Sequence, residues 1–371
     1  MGTEIIEVVS TEPVDLLGLL PEEMEDLVAS WGEPRYRGRQ LLHGLHNRGL
    51  STFEQMTDLP EAFRLRLTEA ARPPRLEVRQ RLKSVDGSWK LLLGLADGRQ
   101  VESVLMPMER GHFTLCLSSQ VGCAMGCRFC LTGTLGLTRN LSAGEIIGQV
   151  LAARDAMAAD PASGQGRLAN LVFMGMGEPL ANLEAVWKAV TLLCSPRLHN
   201  FSRRRVTIST CGHLRGLDEL ARLFAQAGSE QVNLAVSLNA ANDATRSQLM
   251  PINQRWPLAR LLATLKQLPL AARRRITFEY ILIAGVNDSD ADAHQLCGLL
   301  RGRKAKINLI PFNEHPRSEL RRPPEERILR FQNILVEANY TAPVRRSKGA
   351  DILAACGQLS GSKEIRQDES Q

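Results

Sequence analysis

The sequence predicts a partial (β/α)6 barrel of the TIM type, preceded by a small helical N-terminal domain. Three observations carry this. From about residue 112, short apolar and β-branched runs alternate six times with longer amphipathic stretches, the pattern of parallel strands with helices packed outside. The first 80 residues carry helix signals. The chemically unusual residues follow strands, on the rim where such barrels hold reactive groups. A doubly wound open sheet is the competing topology.

Within residues 1–80, Pro21–Trp31 has acids in its first turn, as a helix dipole favours. Tyr36–His46 and Pro60–Ala70 follow as helices. Arginines 35, 37, 39, 48 and 64 fit either phosphate contacts or a solvated face. Residues 81–111 read as a β-hairpin linker, strands Trp89–Leu95 and Gln100–Met106 flanking the turn signal Asp97-Gly98.

Residues 112–350 form the predicted barrel. Strand Phe113–Ser119 leads to helix Ser142–Ala156, opened by the capping box Ser142/Glu145. The next pairs are Leu168–Met174 with Asn182–Cys194, Arg205–Thr210 with Leu217–Ala225, and Val232–Leu238 with Leu258–Leu268. Ile276–Ile283 with Asp290–Leu300 and Lys306–Pro311 with Glu325–Asn339 complete the set. Residues 351–371 make a C-terminal segment containing Cys356, then a polar tail from Ser362 predicted to lack order.

Composition narrows the class. A chain of 371 residues with 44% hydrophobic residues builds one large domain and a smaller one. No apolar run reaches the ~18 residues of a membrane span, and the acidic start Met1–Glu7 is no secretory signal. Cytoplasmic placement follows, where eight cysteines serve as ligands or catalysts more than as staples. The formal charge of +6 is compatible with a nucleic-acid partner or with ordinary solvated charge. With aromatics at 5%, a broad base-stacking platform is not expected.

The most specific local feature is Cys123-x3-Cys127-x2-Cys130. Three thiolates on one loop can hold three corners of a 4Fe-4S cluster, leaving one iron open to a small molecule. That points to radical chemistry begun from S-adenosylmethionine. A zinc site completed by Cys116 or His112, and unrelated buried thiols, are the alternatives. The same rim carries Gly175-Met-Gly177 before Glu178, where bare backbone lets a ligand approach closely. It also carries Ser209, Ser237, Asn239 and Asn313, polar strand-end residues able to bind a nucleoside or to cap a turn. Cys116 and Cys356 form a second pair of interest; nothing in their spacing brings them together, and two small buried residues is the plain reading. Cys194, Cys211 and Cys297 read as packing residues, with Cys211 on the rim.

These residues resemble a family. Thr114–Cys123, Arg139–Glu145, Phe173–Leu180, Lys306–Pro311 and Ala354–Leu359 are similar to the radical S-adenosylmethionine enzymes of the RlmN type, which methylate carbon 2 of adenosine in RNA. The resemblance runs from about Pro34 to Gly361. It implies that Cys123, Cys127 and Cys130 hold the cluster, and that Gly177, Glu178, Ser209, Ser237, Leu238, Asn239 and Asn313 contact S-adenosylmethionine. It further implies that Cys356 is methylated by one S-adenosylmethionine, that a radical made from a second removes hydrogen from that methyl, and that the carbon radical adds to the base. Carbon 2 of adenine is a poor nucleophile, which is why a radical is needed. Cys116 then releases the product, leaving a transient disulfide with Cys356, and Glu102 matches the proton acceptor with one residue of offset. The implied substrates are 23S rRNA and the adenosine next to the anticodon in tRNAs, gripped by the helical module through shape and phosphates. An electron donor such as flavodoxin is implied too. Two departures stand out: Cys211 replaces the family's usual serine, and Asn239 its usual histidine. Asparagine still donates and accepts hydrogen bonds.

Two other readings share some of these features. One is a sister enzyme methylating carbon 8 of the same kind of base, with the same cluster and cysteine pair. The other is a zinc-stabilised RNA-binding protein without catalysis.

Overall fold

The structure, a computed structural model, describes residues 13–160 and 166–361. The acidic start and the tail from Ser362 lie outside the described residues. Helices α1 (Pro21–Ser30), α2 (Tyr36–Leu42) and α3 (Glu61–Ala70) form the N-terminal module. Proline opens α1, and Glu23 accepts a hydrogen bond from the Leu20 amide at 2.7 Å, satisfying a helix-end donor. Met24 and Val28 face Leu41 and Leu42 in a core that runs without a break into the barrel. The α2 helix continues as a π turn, His43–Asn47, so the helical run is as long as the sequence predicts.

Two expectations need correction. Residues up to 80 are not all helical, because β1 (Glu77–Lys83) begins inside them. Its alternation is masked by charge: the strand is a polar edge with exposed and half-buried residues. Nor do residues 81–111 act as a linker. Strands β2 (Trp89–Gly94) and β3 (Gln100–Pro107) pair antiparallel across the Asp97-Gly98 turn, and β3 pairs antiparallel with β4 (His112–Cys116). The hairpin therefore extends the barrel sheet.

A small ribbon, β5 (Gln120–Cys123) with β6 (Gly136–Asn140), brackets the cysteine loop. The capping box forms on α4 (Ala143–Ala158): Ser142 Oγ accepts from the Glu145 amide at 3.0 Å. Arg139 grips both Glu145 oxygens at 2.8 Å, so the Arg139–Glu145 run fixes β6 to the start of α4.

Then follow β7 (Arg167–Phe173), α5 (Leu183–Cys194), β8 (Val206–Thr210), α6 (Leu214–Ala227) and β9 (Asn233–Ser237). Two short helices, α7 (Asp243–Leu249) and α8 (Ile252–Arg255), are inserted before α9 (Leu258–Gln267). The set ends with β10 (Ile276–Leu282), α10 (Asp290–Leu299), β11 (Ala305–Pro311) and α11 (Glu325–Glu337).

The sheet order is β1-β2-β3-β4-β7-β8-β9-β10-β11, and β4 onward pair in parallel. Each new parallel strand joins the same growing edge. That is the winding of a partial (β/α)6 barrel and excludes the doubly wound sheet, whose order reverses at a switch point. Outward residues such as Ile208, Val236, Phe278 and Ile307 are buried under the helices. The alternate residues are mostly polar or small: Thr207, Asn233, Ala235, Thr277, Glu279, Lys306 and Asn308 line an interior cavity. An apolar coat and a polar lumen leave space for ligands inside the barrel. Among the described residues no helix is long and apolar enough to cross a membrane.

Candidate active site at the carboxyl rim of the barrel

Cys123 ends β5, and Cys127 and Cys130 follow on the loop. The Cys130 amide donates to the Cys127 carbonyl at 3.1 Å, and the Arg128 amide to the Leu249 carbonyl at 3.0 Å. All three thiols are free. Burial pushes each of them up, Cys123 to about 12, and each of Cys123 and Cys127 is pushed further by the charge of its loop neighbours. Cys127 and Cys130 pack against an apolar shell of Phe129, Leu249, Met250, Ile283 and Phe312, and clustered thiols bind metal as thiolates, whose charge a metal offsets.

Among the described residues no three His, Cys, Asp or Glu side chains converge on one metal ion. Zinc needs ligands that all meet one centre, whereas each protein ligand of a cube takes a different iron. His112 starts β4, roughly 13 Å of strand rise below Cys116. Three soft thiolates from one loop, wrapped in apolar side chains, fit a 4Fe-4S cluster with one open iron.

The Gly175–Glu178 loop abuts this loop. Gly177 has φ +98°, and a Cβ there would sit 2.5 Å from Gln120 Cβ. At Gly175 a Cβ would meet the Leu117 carbonyl oxygen at 2.7 Å. The bare faces expected to admit a ligand are met by the protein's own β4–β5 connection; glycine here lets the two loops touch. Glu178 is buried, its Oε1 accepting from the Leu180 amide at 3.0 Å and its Oε2 from the Cys211 amide at 2.8 Å. Cys211 is thus more than packing, since its backbone joins the third rim loop to the second.

Ser209 and Ser237 are half-buried on the lumen side of β8 and β9. Leu238 donates its amide to the Glu279 carbonyl at 2.9 Å. Asn239 is fully buried with φ +58°, its Oδ1 accepting from the Ile281 amide at 2.9 Å. Asparagine tolerates this left-handed backbone, and its side chain is committed to holding β9 against β10.

Cys116 and Cys356, 240 positions apart in the chain, line one cavity of about 170 Å³ together with Asn313 and Arg345. Burial pushes Cys116 up to about 12, the charge of Cys356 adds to it, and Arg345 opposes both. The Cys356 segment is anchored on three sides. Asn313 Nδ2 donates to the Cys356 carbonyl at 3.0 Å, and Ser347 Oγ donates to Asn313 Oδ1. The Leu131 amide donates to the Gly357 carbonyl at 2.7 Å, tying the segment to the cysteine loop. Glu102 Oε2 accepts from the Ser360 and Gly361 amides at 2.7 and 3.1 Å, while Lys90 pairs with Oε1 at 3.0 Å. Glu102 is buried and does not line the two-cysteine cavity. All eight cysteines are free, the Cys116–Cys356 pair included.

Sequence reasoning missed two cations. Arg246 is fully buried, with its Nε 3.0 Å from the Leu238 carbonyl and its NH2 2.8 Å and 3.1 Å from the Cys211 and Ser237 carbonyls. It clamps the third and fourth rim loops behind Cys127. An arginine inside a short inserted helix gives no sequence cue. Arg345, which opens the basic run Arg345-Arg-Ser-Lys348, lines the cavity of both candidate catalytic cysteines. In the N-terminal module, Arg35, Arg39 and Arg48 are held by Asp26, Glu25 and Asp58. Such exposed pairs are worth little and exchange readily for phosphate.

Comparison with known proteins gives a consistent picture. Residues 117–297 match the family model of the Radical SAM superfamily, and residues 14–72 that of the ribosomal RNA large subunit methyltransferase N-terminal domain. The dual-specificity RNA methyltransferase RlmN of Syntrophotalea carbinolica is 49% identical over 352 residues, 95% of this chain and 91% of that protein. A probable dual-specificity RNA methyltransferase RlmN of Moorella thermoacetica is 48% identical, covering 96% of this chain and 99% of its own. The crystal structure of a radical SAM methyltransferase from Sphaerobacter thermophilus superposes with a TM-score of 0.86 at 44% identity, over 94% of this chain and all of that one.

Proposed function

Because this chain belongs to the RlmN family of radical S-adenosylmethionine RNA methyltransferases, we propose that it methylates carbon 2 of adenosine in 23S rRNA and of the adenosine beside the anticodon in tRNAs. Membership carries with it a 4Fe-4S cluster and S-adenosylmethionine. Cys123, Cys127 and Cys130 would hold the cluster, and the chemistry it supplies when bound is one-electron cleavage of S-adenosylmethionine to an alkyl radical. Gly177, Glu178, Ser209, Ser237, Leu238, Asn239 and Asn313 shape the cofactor's place, Glu178 and Asn239 by holding loops and Asn313 by holding the Cys356 backbone.

The remaining work belongs to the chain. Cys356 carries the methyl group and delivers its carbon to the base. Cys116 resolves the resulting protein–RNA adduct, forming a disulfide that a reductant must reopen. Arg345, in the same cavity, opposes the burial that raises Cys116, the direction that attack by its thiolate requires. Glu102 matches the family's proton acceptor; here it is buried outside the two-cysteine cavity, its oxygens holding Lys90 and the Ser360 and Gly361 amides, so that role requires the Ser360–Gly361 segment to release it. A small electron carrier such as flavodoxin supplies electrons, in a reducing cytoplasm. The helical module and adjoining arginines hold the folded RNA.

The observation that carries this reading is the meeting of Cys116 and Cys356 in one cavity against the three-cysteine loop. The test is anaerobic reconstitution followed by turnover on ribosomal RNA, with nucleoside mass spectrometry. Wild type should yield 2-methyladenosine, while Cys356→Ala should cleave S-adenosylmethionine and yield none. Methylation by Cys356→Ala, or a carbon-8 product from wild type, overturns it.

A further inference from the structure

The barrel lumen below the two-cysteine cavity holds an acid that the reaction above does not use. Glu279, in the middle of β10, is 4% exposed. Its Oε1 accepts from Asn308 Nδ2 at 3.0 Å, while its Oε2 is buried without a hydrogen-bond partner. A buried carboxylate oxygen left unpaired costs about 1–3 kcal/mol or more, so it is retained for a reason. Glu279 pairs in register with Ser237 on one side and Asn308 on the other, and all three belong to the lumen face. It lines a cavity of about 910 Å³, which shares Val172, Met174 and Arg345 with the cavity of Cys116 and Cys356. The far rim of this larger cavity carries Arg204, Arg273 and Arg275, all exposed. The lumen cavity thus lies next to the two-cysteine cavity, with Val172, Met174 and Arg345 common to both, and Glu279 brings an acceptor without a partner to its wall.

We propose that Glu279, oriented by Asn308, accepts a hydrogen bond from the exocyclic amino group of the target adenine and so selects adenine at the reacting position. This rests on the RNA methyltransferase reading above. With carbon 2 held at Cys356, the carbon-6 amino group, which shares the Watson–Crick edge with carbon 2 and is separated from it by nitrogen 1 alone, is turned toward the larger cavity. An ionised carboxylate only accepts hydrogen bonds. It suits the amino group of adenine and opposes the 6-oxo group of guanine, an attraction and a repulsion that both serve specificity. The arginine rim suits the phosphates flanking a base drawn out of its stack.

The experiment uses the full-length reconstituted enzyme and two synthetic RNA stem-loops, identical except at the methylated position. One carries adenosine there, the other purine riboside, which lacks the amino group. Wild type should prefer adenosine at least tenfold in kcat/KM and in equilibrium binding, because the purine leaves the acid unpaired. In Glu279→Gln, Asn308 fixes the amide oxygen and turns the NH2 toward the base. The preference should then vanish, with adenosine kcat/KM falling at least tenfold while the Kd for S-adenosylmethionine stays within twofold. Equal use of both RNAs by wild type overturns the proposal whether or not the variant folds. So does an unchanged preference in the variant, or a lost affinity for S-adenosylmethionine, which would assign Glu279 to the cofactor. Wild type that methylates neither RNA sinks the parent reading instead, and the two failures are thereby told apart.

Discussion

Arg246→Leu should destabilise the rim of the barrel. The substitution removes a guanidinium that is 1% exposed and makes four hydrogen bonds, to Leu238 O, Asn253 Oδ1, Cys211 O and Ser237 O. Bonds to a charged group contribute about 1.5–3 kcal/mol each, a gross loss of roughly 6–12 kcal/mol. Against this, the buried charge itself costs several kcal/mol, and leucine relieves that cost. Its carbonyl partners keep their own penalty, since nothing apolar can satisfy them. A net loss of about 3–5 kcal/mol follows, the size expected for a few buried oxygens left unsatisfied at about 1–3 kcal/mol each. At about 2 °C per kcal/mol for large domains, the Tm should fall by roughly 6–10 °C. Differential scanning calorimetry on protein prepared without iron reads this directly, free of any contribution from cluster binding. Arg246→Lys keeps the charge but not the planar fork, so it should recover part of the loss. A Tm for Arg246→Leu within 2 °C of wild type would show that the rim loops do not depend on this clamp.

Two further outcomes are expected. His46 is buried against His199, with Arg75 and Arg154 nearby, and burial chiefly lowers its pKa to about 4. The folded state therefore holds His46 neutral while the unfolded chain binds a proton first, so stability is complete above about pH 6.5 and drains as pH falls toward 4, by on the order of 3 kcal/mol. Urea midpoints between pH 7.5 and 4.5 measure this, and His46→Gln, if it leaves the slope unchanged, removes the explanation. Asn313→Ala frees the Cys356 carbonyl from its 3.0 Å bond, a loss of about 1 kcal/mol that should speed iodoacetamide alkylation of Cys356 roughly fivefold; an unaltered rate, read by peptide mass spectrometry, would rule out Asn313 as the anchor.

Much of this molecule is written locally. The three cysteines lie within one loop, so their joint role needs only sequence spacing. The Ser142/Glu145 cap and the Asp97-Gly98 turn are also short-range chemistry, and both form as read. Six strand–helix alternations fixed the parallel barrel because strand and helix periods differ within a single turn's length of sequence. Strand β1 was hidden because a polar sheet edge lacks apolar alternation, and β2–β3 passed for a linker because pairing with β4 is not a local property. The glycines of the Gly175 loop could be read only as bare backbone; which surface met them was decided by the approach of the Leu117–Gln120 connection.

What the residues alone determined was the inventory of chemistry: which thiols share a loop, which segments become strands, and which ends those strands present. What tertiary structure alone decided was adjacency. It brought Cys116 to Cys356, put Arg345 in the same cavity, buried Arg246 under the rim and left one oxygen of Glu279 without a partner in the lumen wall. The reason is physical. Period and capping act over one to four residues, whereas contacts between residues far apart in the chain are set by the order and curl of the sheet, which no local pattern encodes.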